Sequence, residues 1–273
     1  MHTNLRGALL SLASFGVYAT HDVIVKALGA SYAPFQIIFF AGLLGFPLIT
    51  IMLMSDRTDG TLIPKHPWWT AIRTISAVAT GLAGFYAFSV LPMAQCYAIF
   101  FAMPILITLL AIPILGERIG FRRGIAVVAG LGGVLIVLRP GEVDLGLGHL
   151  AALSAATTGA LTSVIVRKVG KAERAIVLML YPMVANFVLM GLALPFVYFP
   201  MPVFHFGGMA LMAALGLIGG LLSIAAYRSA PAVIVAPMQY SQIIWAIFYG
   251  WLFFNESLDL NTGIGTAVII ASG

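Results

Sequence analysis

Charged side chains are scarce in this sequence. Lysine, arginine, aspartate and glutamate together make up 8% of its 273 residues, whereas a soluble domain carries about 25% because its surface must be hydrated. Hydrophobic residues make up 61%. A folded interior cannot hold so many, so much of the apolar surface must face lipid. The apolar runs are continuous rather than alternating, which favours helices over an outer-membrane barrel. We therefore predict an all-α integral membrane protein.

Several chemical signatures are also missing. The single cysteine, Cys96, excludes an internal disulfide and a multi-cysteine metal site. Neither GxxxxGKS nor GxxxxGKT, the phosphate-binding motifs, occurs in the sequence, and there is no large soluble segment, so ATP hydrolysis is not expected. Metal-ligand and nucleophile motifs are lacking as well. We therefore expect no metal, no cofactor and no catalytic residue.

The placement of the basic residues explains the net charge of +5 without a nucleic-acid partner. When ten apolar segments are taken as membrane spans, all but two of the 14 lysines and arginines lie on the side of the N-terminus; Lys26 and Arg139 are the exceptions. Because basic loops stay in the cytoplasm during insertion, both termini are predicted to be cytoplasmic, in a bacterial-type inner membrane. The last segment is too short to cross at about 1.5 Å per residue, and we expect it to be truncated. The ten segments are 5–28, 34–54, 68–90, 94–114, 124–138, 148–166, 177–199, 207–228, 233–254 and 262–273.

The sequence also contains an internal repeat. A shift of 141 positions places Val23-Ile24-Val25 on Val164-Ile165-Val166, and a shift of 139 places Pro92 on Pro231. The repeat unit contains five spans, and a unit with an odd number of spans enters the membrane from opposite faces in its two copies. We therefore predict two inverted five-helix repeats, over 1–140 and 141–273. This plan is typical of secondary transporters, whose substrate site lies near the bilayer midplane between the halves.

Each half carries the same two turns around its fourth helix. A proline turn precedes that helix, at Pro92 and Pro231, and an acidic turn follows it, as Gly116-Glu117 and Asn255-Glu256. In these turns, and in the glycine-rich helix that follows each of them, the chain resembles the EamA-like branch of the drug/metabolite transporter superfamily over essentially its whole length. The resemblance implies an exporter of amino acids or related metabolites. It also implies a central cavity formed by the first, third, fourth, sixth, eighth and ninth helices.

Two amide side chains mark a candidate substrate site in the ninth helix. Gln239 and Gln242 lie near the bilayer midplane, and Trp245 and Tyr249 continue the same helix face. Amides at that depth can orient a zwitterion without burying a charge. The alternative is hydrogen bonding between helices, which contributes about 1–2 kcal/mol or less. The other cavity candidates are polar or aromatic residues of the first, third, fourth and sixth helices: Tyr18, Arg73, Thr80, Tyr97, Phe101 and Thr158.

A structural interpretation stands beside each of these other candidates. Arg73 can extend to the cytoplasmic interface instead of binding a substrate carboxylate. Thr80 lies on a face of small residues suited to close helix packing, and Thr158 can bond back to its own helix. Tyr97 and Phe101 form an aromatic stripe of the kind that usually packs. In the same helix Pro104 removes a backbone hydrogen bond near the midplane and predicts a kink.

The first helix carries three neighbouring ionisable residues, His21, Asp22 and Lys26. One interpretation is an Asp22–Lys26 pair at the interface, and the other is a proton-coupling site or outer gate formed by His21 and Asp22. Asp22 is the one carboxylate away from the helix ends, but it lies about 25 Å along its helix, near the outer surface. A cationic substrate requires a carboxylate in the cavity, so this shallow position favours zwitterions.

Two glutamates are assigned structural roles. Glu117 and Glu256 precede the fifth and tenth helices on opposite sides of the membrane, and we expect them to cap or orient those helix N-termini. Pro92 and Pro231 are likewise expected to shape the turns that contain them.

The function that these features favour is alternating-access, gradient-driven export of small metabolites, with amino acids foremost. Its partners would be a small-molecule substrate and the lipid bilayer, and the chain would not be an enzyme. Three alternatives stay open: export of lipophilic cations or drugs, an intramembrane enzyme that uses His21 and Asp22, and a channel. The enzyme would lack a nucleophile or metal shell, and the channel would lack a filter-like sequence.

Overall fold

A computed structural model describes residues 2–55, 61–116, 121–138, 145–169, 172–230 and 236–272. Within these ranges every regular element is a helix. The first half contains α1 (His2–Gly29), α2 (Pro34–Ser55), α3 (Pro67–Val90), α4 (Met93–Phe100), α5 (Met103–Leu115) and α6 (Phe121–Leu138). The second half contains α7 (Leu147–Val169), α8 (Ala175–Val197), α9 (Val203–Ser229), a 3-10 turn (Ala236–Ser241), α10 (Gln242–Phe254) and α11 (Leu260–Ser272).

The helices have the length and composition of membrane spans. Seven helical stretches of the described residues are long and apolar enough to cross a bilayer, with α4 and α5 counted together as one. Shorter apolar stretches lie in α6 and α11, and each of the ten segments predicted from the sequence overlaps a helix. Large apolar side chains such as Phe196 and Val203 point outward, each 88% exposed, as expected for residues that face lipid. The prediction of an all-α, multi-pass membrane protein is confirmed for the part of the chain described.

The fourth and ninth spans are interrupted at equivalent places. The fourth breaks at Phe101 and Ala102, between α4 and α5, where the next helix opens with Pro104 in its first turn. Pro104 has no N–H to donate, so the helix cannot run regularly through this point. The ninth span changes from the 3-10 turn to α10 after Ser241, the counterpart of Ala102 at a shift of 139. Phe101 packs on its own counterpart, Tyr240, with ring centroids 5.2 Å apart.

The two acidic turns share a backbone conformation. Gly116 ends α5 with φ 72°, and Asn255 ends α10 with φ 53°, so both adopt the left-handed region that closes many helices. Glycine reaches this region without strain, and asparagine is among the residues that tolerate it best. The substitution of asparagine for glycine in the second repeat therefore leaves the turn unchanged.

Helices of the two halves pack in pairs. The first span, α1, packs on the eighth, α9, and its counterpart pair is the sixth span, α7, on the third, α3. The second and seventh spans pack together as α2 and α8, and the fifth and tenth as α6 and α11. The broken spans meet where α4 packs against α10. Exchanging the halves leaves this set of pairs unchanged.

Glycines permit the closest approaches between paired helices. Gly7 of α1 lies against Ala230, and Gly148 of α7 lies against Leu91, which is the counterpart of Ala230. A Cβ at Gly148 would lie 3.0 Å from Leu91 Cγ, so a side chain at either glycine would push the pair apart.

At the centre of the bundle α4 is almost completely buried, with Tyr97 and Ile99 among the largest enclosed side chains.

Candidate functional site

A cavity of about 620 Å³ lies against the break in the fourth span. It is lined by α1, α3, α4, α5, α7, the 3-10 turn and α10, and so takes residues from both halves of the chain. The eighth span, which the resemblance also implied, does not contribute to the described lining. Its lining residues are Phe15, Tyr18, Asp22, Thr80, Gly81, Gly84, Phe85, Phe88, Tyr97, Phe100, Met103, Ala155, Ser163, Gln239 and Gln242.

Asp22 supplies the carboxylate of this cavity. His21 Nδ1 donates to Asp22 Oδ1 at 2.8 Å, and the hydroxyl of Tyr97 donates to Asp22 Oδ2. Both neighbours hold the side chain in place, and neither neutralises it unless His21 is protonated. The sequence placed Asp22 near the outer surface, but in the structure it faces the cavity. A carboxylate therefore faces the cavity, because the fold brings α4 and α10 around this part of α1.

Aromatic rings line the same cavity as the carboxylate. Six of the lining side chains are phenylalanine or tyrosine, contributed by α1, α3 and α4. Tyr18 fits because Gly219 of α9 leaves room for its ring; a Cβ at Gly219 would lie 3.0 Å from Tyr18 Cε1. The faces of aromatic rings attract cations, and their edges and faces also provide apolar contact area. Together with Asp22 they form surroundings suited to an organic group that carries positive charge.

Amides and the hydroxyls of Thr80 and Ser163 complete the lining. Gln239 and Gln242 both line the cavity, and Gln242 is buried. Thr80 lines it from α3 and shares a hydrogen bond of 2.7 Å with Thr158 of α7. Of the ten residues expected at a substrate cavity, the structure thus brings Tyr18, Thr80, Tyr97, Gln239 and Gln242 to one cavity, and it adds Asp22.

The other five expected residues have packing contacts. Trp245 packs against Gly16 of α1 and stacks on Tyr249, whose hydroxyl shares a hydrogen bond of 3.0 Å with Thr20. These two rings therefore join α10 to α1. Thr158 joins α7 to α3 through Thr80.

Arg73 and Phe101 also contact protein rather than the larger cavity. Arg73 donates from its guanidinium to the carbonyl of Leu178 and so ties α3 to α8. Its guanidinium is held by protein backbone. Phe101 is buried between Tyr97 and Tyr240.

Lys26 has a different partner from the one considered in the sequence. Its Nζ lies 2.9 Å from Glu256 Oε1 and donates to the carbonyl of Leu91 at 2.6 Å. An Asp22–Lys26 pair is therefore not formed. The loop after α10 brings Glu256 onto the end of α1, while Asp22 is already bonded by His21 and Tyr97.

Glu256 also corrects an expectation about helix capping. Its Oε2 accepts from the N–H of Met93 at 2.8 Å, in the first turn of α4, so it orients α4 rather than the helix that follows it. The cap of α11 is Asp259, whose carboxylate accepts from the N–H of Thr262 at 3.2 Å. Pro92 directly precedes α4 as its N-cap residue. Glu117 and Pro231 lie outside the described residues.

A second cavity, of about 370 Å³, was not predicted from the sequence. It lies among α1, α2, α3, α8 and α9, and His21 and Asn186 are the polar side chains of its described lining. Gly81 and Phe85 of α3 line both cavities. The sequence held one usable signal, the pair Gly42 and Gly45 on one face of α2, but small residues usually indicate helix packing.

A family model matches the chain twice. The model of the EamA-like transporter family matches residues 5–139 and again 146–272.

Relatives with named functions are similar over nearly the whole chain. An S-adenosylmethionine uptake transporter of Rickettsia bellii is 25% identical over 265 residues, covering 96% of this chain and 89% of that protein. A pseudopaline exporter of Pseudomonas aeruginosa is 23% identical over 269 residues, covering 97% and 94%. A solved crystal structure superposes with a TM-score of 0.66 at 16% identity, over 99% of this chain and 94% of the other, and so shows the same fold.

Proposed function

Because the chain belongs to the EamA-like transporter family, we propose that it is a secondary transporter that exports small amino-acid-type metabolites through the larger cavity. The observation that carries the proposal is the composition of that cavity. One cavity of about 620 Å³ is lined by a carboxylate, two amides and six aromatic rings. Pockets of this size with a few convergent polar groups are typical small-molecule sites.

The lining side chains complement an amino acid group by group. A substrate ammonium group can bind Asp22 in a charge-assisted hydrogen bond, with cation–π contacts to the surrounding rings. A substrate carboxylate can accept hydrogen bonds from the amide NH₂ groups of Gln239 and Gln242. The named substrate of the rickettsial relative, S-adenosylmethionine, also carries an amino acid group, which supports this class of substrate.

The architecture in this proposal is two inverted repeats, over 1–140 and 141–273, that rock about the cavity to give alternating access. Three observations support it: the double family match, the exchange-symmetric helix pairs, and the equivalent breaks in the fourth and ninth spans. Discontinuous helices at the junction of two repeats commonly form the substrate sites of secondary transporters.

The proposal places both termini in the cytoplasm, in an inner membrane. The distribution of basic residues supports this orientation, and Lys26, an exception to it, is the partner of Glu256. Contacts at the helix ends agree with the same membrane topology. Lys26, Leu91 and Glu256 meet at the predicted outer end, and His66 and Glu173 meet at the predicted inner end.

Proton coupling is part of the proposal. His21 and Asp22 are joined in one hydrogen bond, so protonation of this pair would change the charge that a substrate ammonium group meets in the cavity. The neighbouring titratable groups are Tyr18 on the same helix and Tyr97 on α4. The Lys26–Glu256 pair lies one turn further along α1.

A second candidate function is export of lipophilic cations. The specific observation in its favour is that Asp22 and the aromatic rings share one cavity, an arrangement that also suits a cation without a carboxylate. The two functions differ in their need for the amides, because Gln239 and Gln242 have no charged partner on such a cation.

The test is transport by the purified chain in proteoliposomes, with labelled amino acids, S-adenosylmethionine and a lipophilic cation, and with or without a pH gradient. We expect saturable transport of an amino-acid-type substrate that rises with the pH gradient and falls at least about tenfold in Gln242→Ala, which leaves a charged group without its donor. The matched control is Gln95→Ala, because the Gln95 amide contacts His149 on α7 instead of lining the cavity.

Each other outcome has a definite meaning. Transport of the cation alone, unaffected by Gln242→Ala, would replace the amino-acid proposal with the second candidate. No transport of any compound under either condition would contradict the proposed function. The direction is read separately, from the retention of the transported compound by cells that express or lack the chain.

A further inference from the structure

The two cavities are neighbours that share part of a wall. Gly81 and Phe85 line both of them. His21 lines the second cavity, while Asp22, to which it donates, lines the first. The ring of Phe85 packs edge-on against the ring of His21, with centroids 6.1 Å apart. Helices α1 and α3 therefore run along the boundary, and Gly81, Phe85 and His21 lie between the two spaces.

The second cavity differs from the first in its chemistry. Its described lining is apolar apart from His21 and Asn186, and three methionines contribute flexible, polarizable walls. Asn186 Oδ1 is buried and has no hydrogen-bond partner among the described residues. A buried acceptor without a partner costs free energy, about 1–3 kcal/mol, unless a bound group donates to it. The cavity thus combines apolar walls with one unsatisfied acceptor.

Absent side chains create the space. Gly42 and Gly45 of α2 and Gly81 of α3 each face an opening, and a Cβ built at any of the three would meet no atom of the described part of the chain within 4 Å. These glycines therefore do not serve a close helix contact, in contrast to Gly7 and Gly148. Nothing in the packing of α2 requires glycine at 42 or 45, whereas an occupant of the cavity would.

We propose that the second cavity is the side-chain compartment of the substrate site. This inference rests on the proposed function. The ammonium and carboxylate groups of the substrate stay with Asp22 and the two glutamines, and its apolar part extends past Gly81 and Phe85, between α1 and α3, into the second cavity. The preferred substrates are then amino-acid-type metabolites with a large, mainly apolar side chain. A hydrogen-bond donor near the end of that side chain binds Asn186 Oδ1.

A larger side chain placed in the wall of the second cavity tests whether this cavity holds the side chain of the substrate. Gly45→Leu places a side chain in the opening and leaves every residue of the first cavity unchanged. The measurement is competition by glycine, alanine, leucine and phenylalanine against the substrate that the wild-type protein transports. We expect the affinity for leucine and phenylalanine to fall at least about tenfold relative to that for alanine, as pocket size commonly discriminates.

The matched control is Gly207→Leu. Gly207 lies on an exposed part of α9, and a Cβ there also meets no atom within 4 Å. The control removes a helical glycine in the same way but adds its side chain at an exposed position, and we expect no change in the affinity ratio. If Gly45→Leu does not fold, as judged by size-exclusion chromatography and thermal melting, Gly42→Leu fills the same opening and replaces it.

A second variant tests the polar end of the compartment. Asn186→Leu keeps a similar volume and removes the acceptor. We expect the preference for tyrosine over phenylalanine to fall about fivefold, the effect of losing one hydrogen bond of about 1 kcal/mol. The affinity for alanine should not change, because its side chain does not reach Asn186.

The outcomes separate this inference from the proposed function. Suppose that the wild-type protein transports amino acids, and that folded Gly45→Leu either lowers the affinity for small and large amino acids equally or changes neither affinity. The inference of a side-chain compartment is then wrong, while the proposed transport function stands. Binding of long-chain lipid to the wild-type cavity with an unchanged amino-acid profile in Gly45→Leu would also overturn it. If the wild-type protein transports no amino-acid-type compound, both proposals fail together.

Discussion

At the scale of single residues, Asp22 is held by hydrogen bonds and also faces a cavity. Both of its carboxylate oxygens are bonded, by His21 and by Tyr97, and it still lines the larger cavity. A carboxylate inside a membrane is costly, so it is expected to be paired or to serve a function. Bonding on both oxygens fixes its position without cancelling its charge, which is what a binding site for an ammonium group requires.

Replacing Asp22 with asparagine removes the charge and keeps the shape. We expect transport of ammonium-bearing substrates to fall at least about tenfold, since hydrogen bonds to charged groups contribute about 1.5–3 kcal/mol. The dependence on the pH gradient should disappear as well. The measurement is kcat/KM in proteoliposomes at pH 6 and pH 8. Asp259→Asn is the control, because Asp259 caps α11 outside the cavity; wild-type transport by Asp22→Asn would contradict the assignment.

Glu173 is a second residue whose charge has a structural role. It lies between α7 and α8, where the backbone N–H and the imidazole of His66 both contact its Oε1, at 2.5 Å and 3.2 Å. Burial opposes ionisation of this carboxyl, but hydrogen bonds from Lys65 and His66 outweigh that effect, and the pKa of Glu173 is lowered below its ordinary value of 4.5.

This lowered pKa predicts a pH-dependent contribution to stability. The unfolded chain binds a proton at Glu173 more readily than the folded one, so the contribution is fully present above about pH 4.5 and is lost as the pH falls through the lower folded pKa. We expect Glu173→Gln to melt at a lower temperature than the wild-type protein at pH 7. The difference should shrink towards pH 3. The check is thermal unfolding in detergent across this range, and a difference that is constant with pH would contradict the prediction.

At the scale of elements, the fifth and tenth spans cross at two glycines. A Cβ at Gly133 of α6 would lie 2.9 Å from the carbonyl oxygen of Gly265 and 2.8 Å from Ile269 Cγ1 of α11. The backbones are thus nearly in contact, and no flexible neighbour can move aside. The neighbouring Gly132 faces open space, with no atom within 4 Å of a Cβ there.

Leucine at these two adjacent positions should have opposite effects. Gly133→Leu forces α6 and α11 apart, and overpacking of this kind typically costs about 1–3 kcal/mol or more. Gly132→Leu should leave stability nearly unchanged or raise it, because glycine is a poor helix former. Melting temperature and monodispersity on size-exclusion chromatography report both. Equal melting temperatures of the two variants would show that α6 and α11 do not cross at Gly133.

At the scale of the whole molecule, an inverted repeat places each loop on a definite side of the membrane. Lys65 and Ala172 are exposed in loops predicted to be cytoplasmic, and Gly146 and Pro200 are exposed in loops predicted to be outside. Replacing Cys96, a buried thiol, with alanine gives a background for single-cysteine variants.

We expect a membrane-impermeant maleimide, added to intact spheroplasts, to label Gly146→Cys and Pro200→Cys but not Lys65→Cys or Ala172→Cys. Labelling of the last two after permeabilisation is the control for accessibility. The opposite labelling pattern would show that the orientation is reversed. A mixed pattern would contradict the predicted topology of ten spans.

The sequence by itself determined the class of the molecule, because hydropathy, charge placement and internal similarity are local or additive properties. It predicted the helices, the family and the equivalence of Gly116 and Asn255. It also singled out six of the residues that line the larger cavity, five as cavity candidates and Asp22 as a coupling or gate candidate. Each of these follows from residue type and from spacing along one helix.

The tertiary structure decided which side chains meet, since that depends on how helices distant in sequence are packed. In the structure Lys26 pairs with Glu256 instead of Asp22, and Glu256 bonds the first turn of α4 instead of α11. Asp22 lines the larger cavity. The second cavity arises where Gly42, Gly45 and Gly81 of two helices face the same opening. A glycine that permits contact and a glycine that leaves space are identical in sequence, and only the neighbouring helices distinguish them.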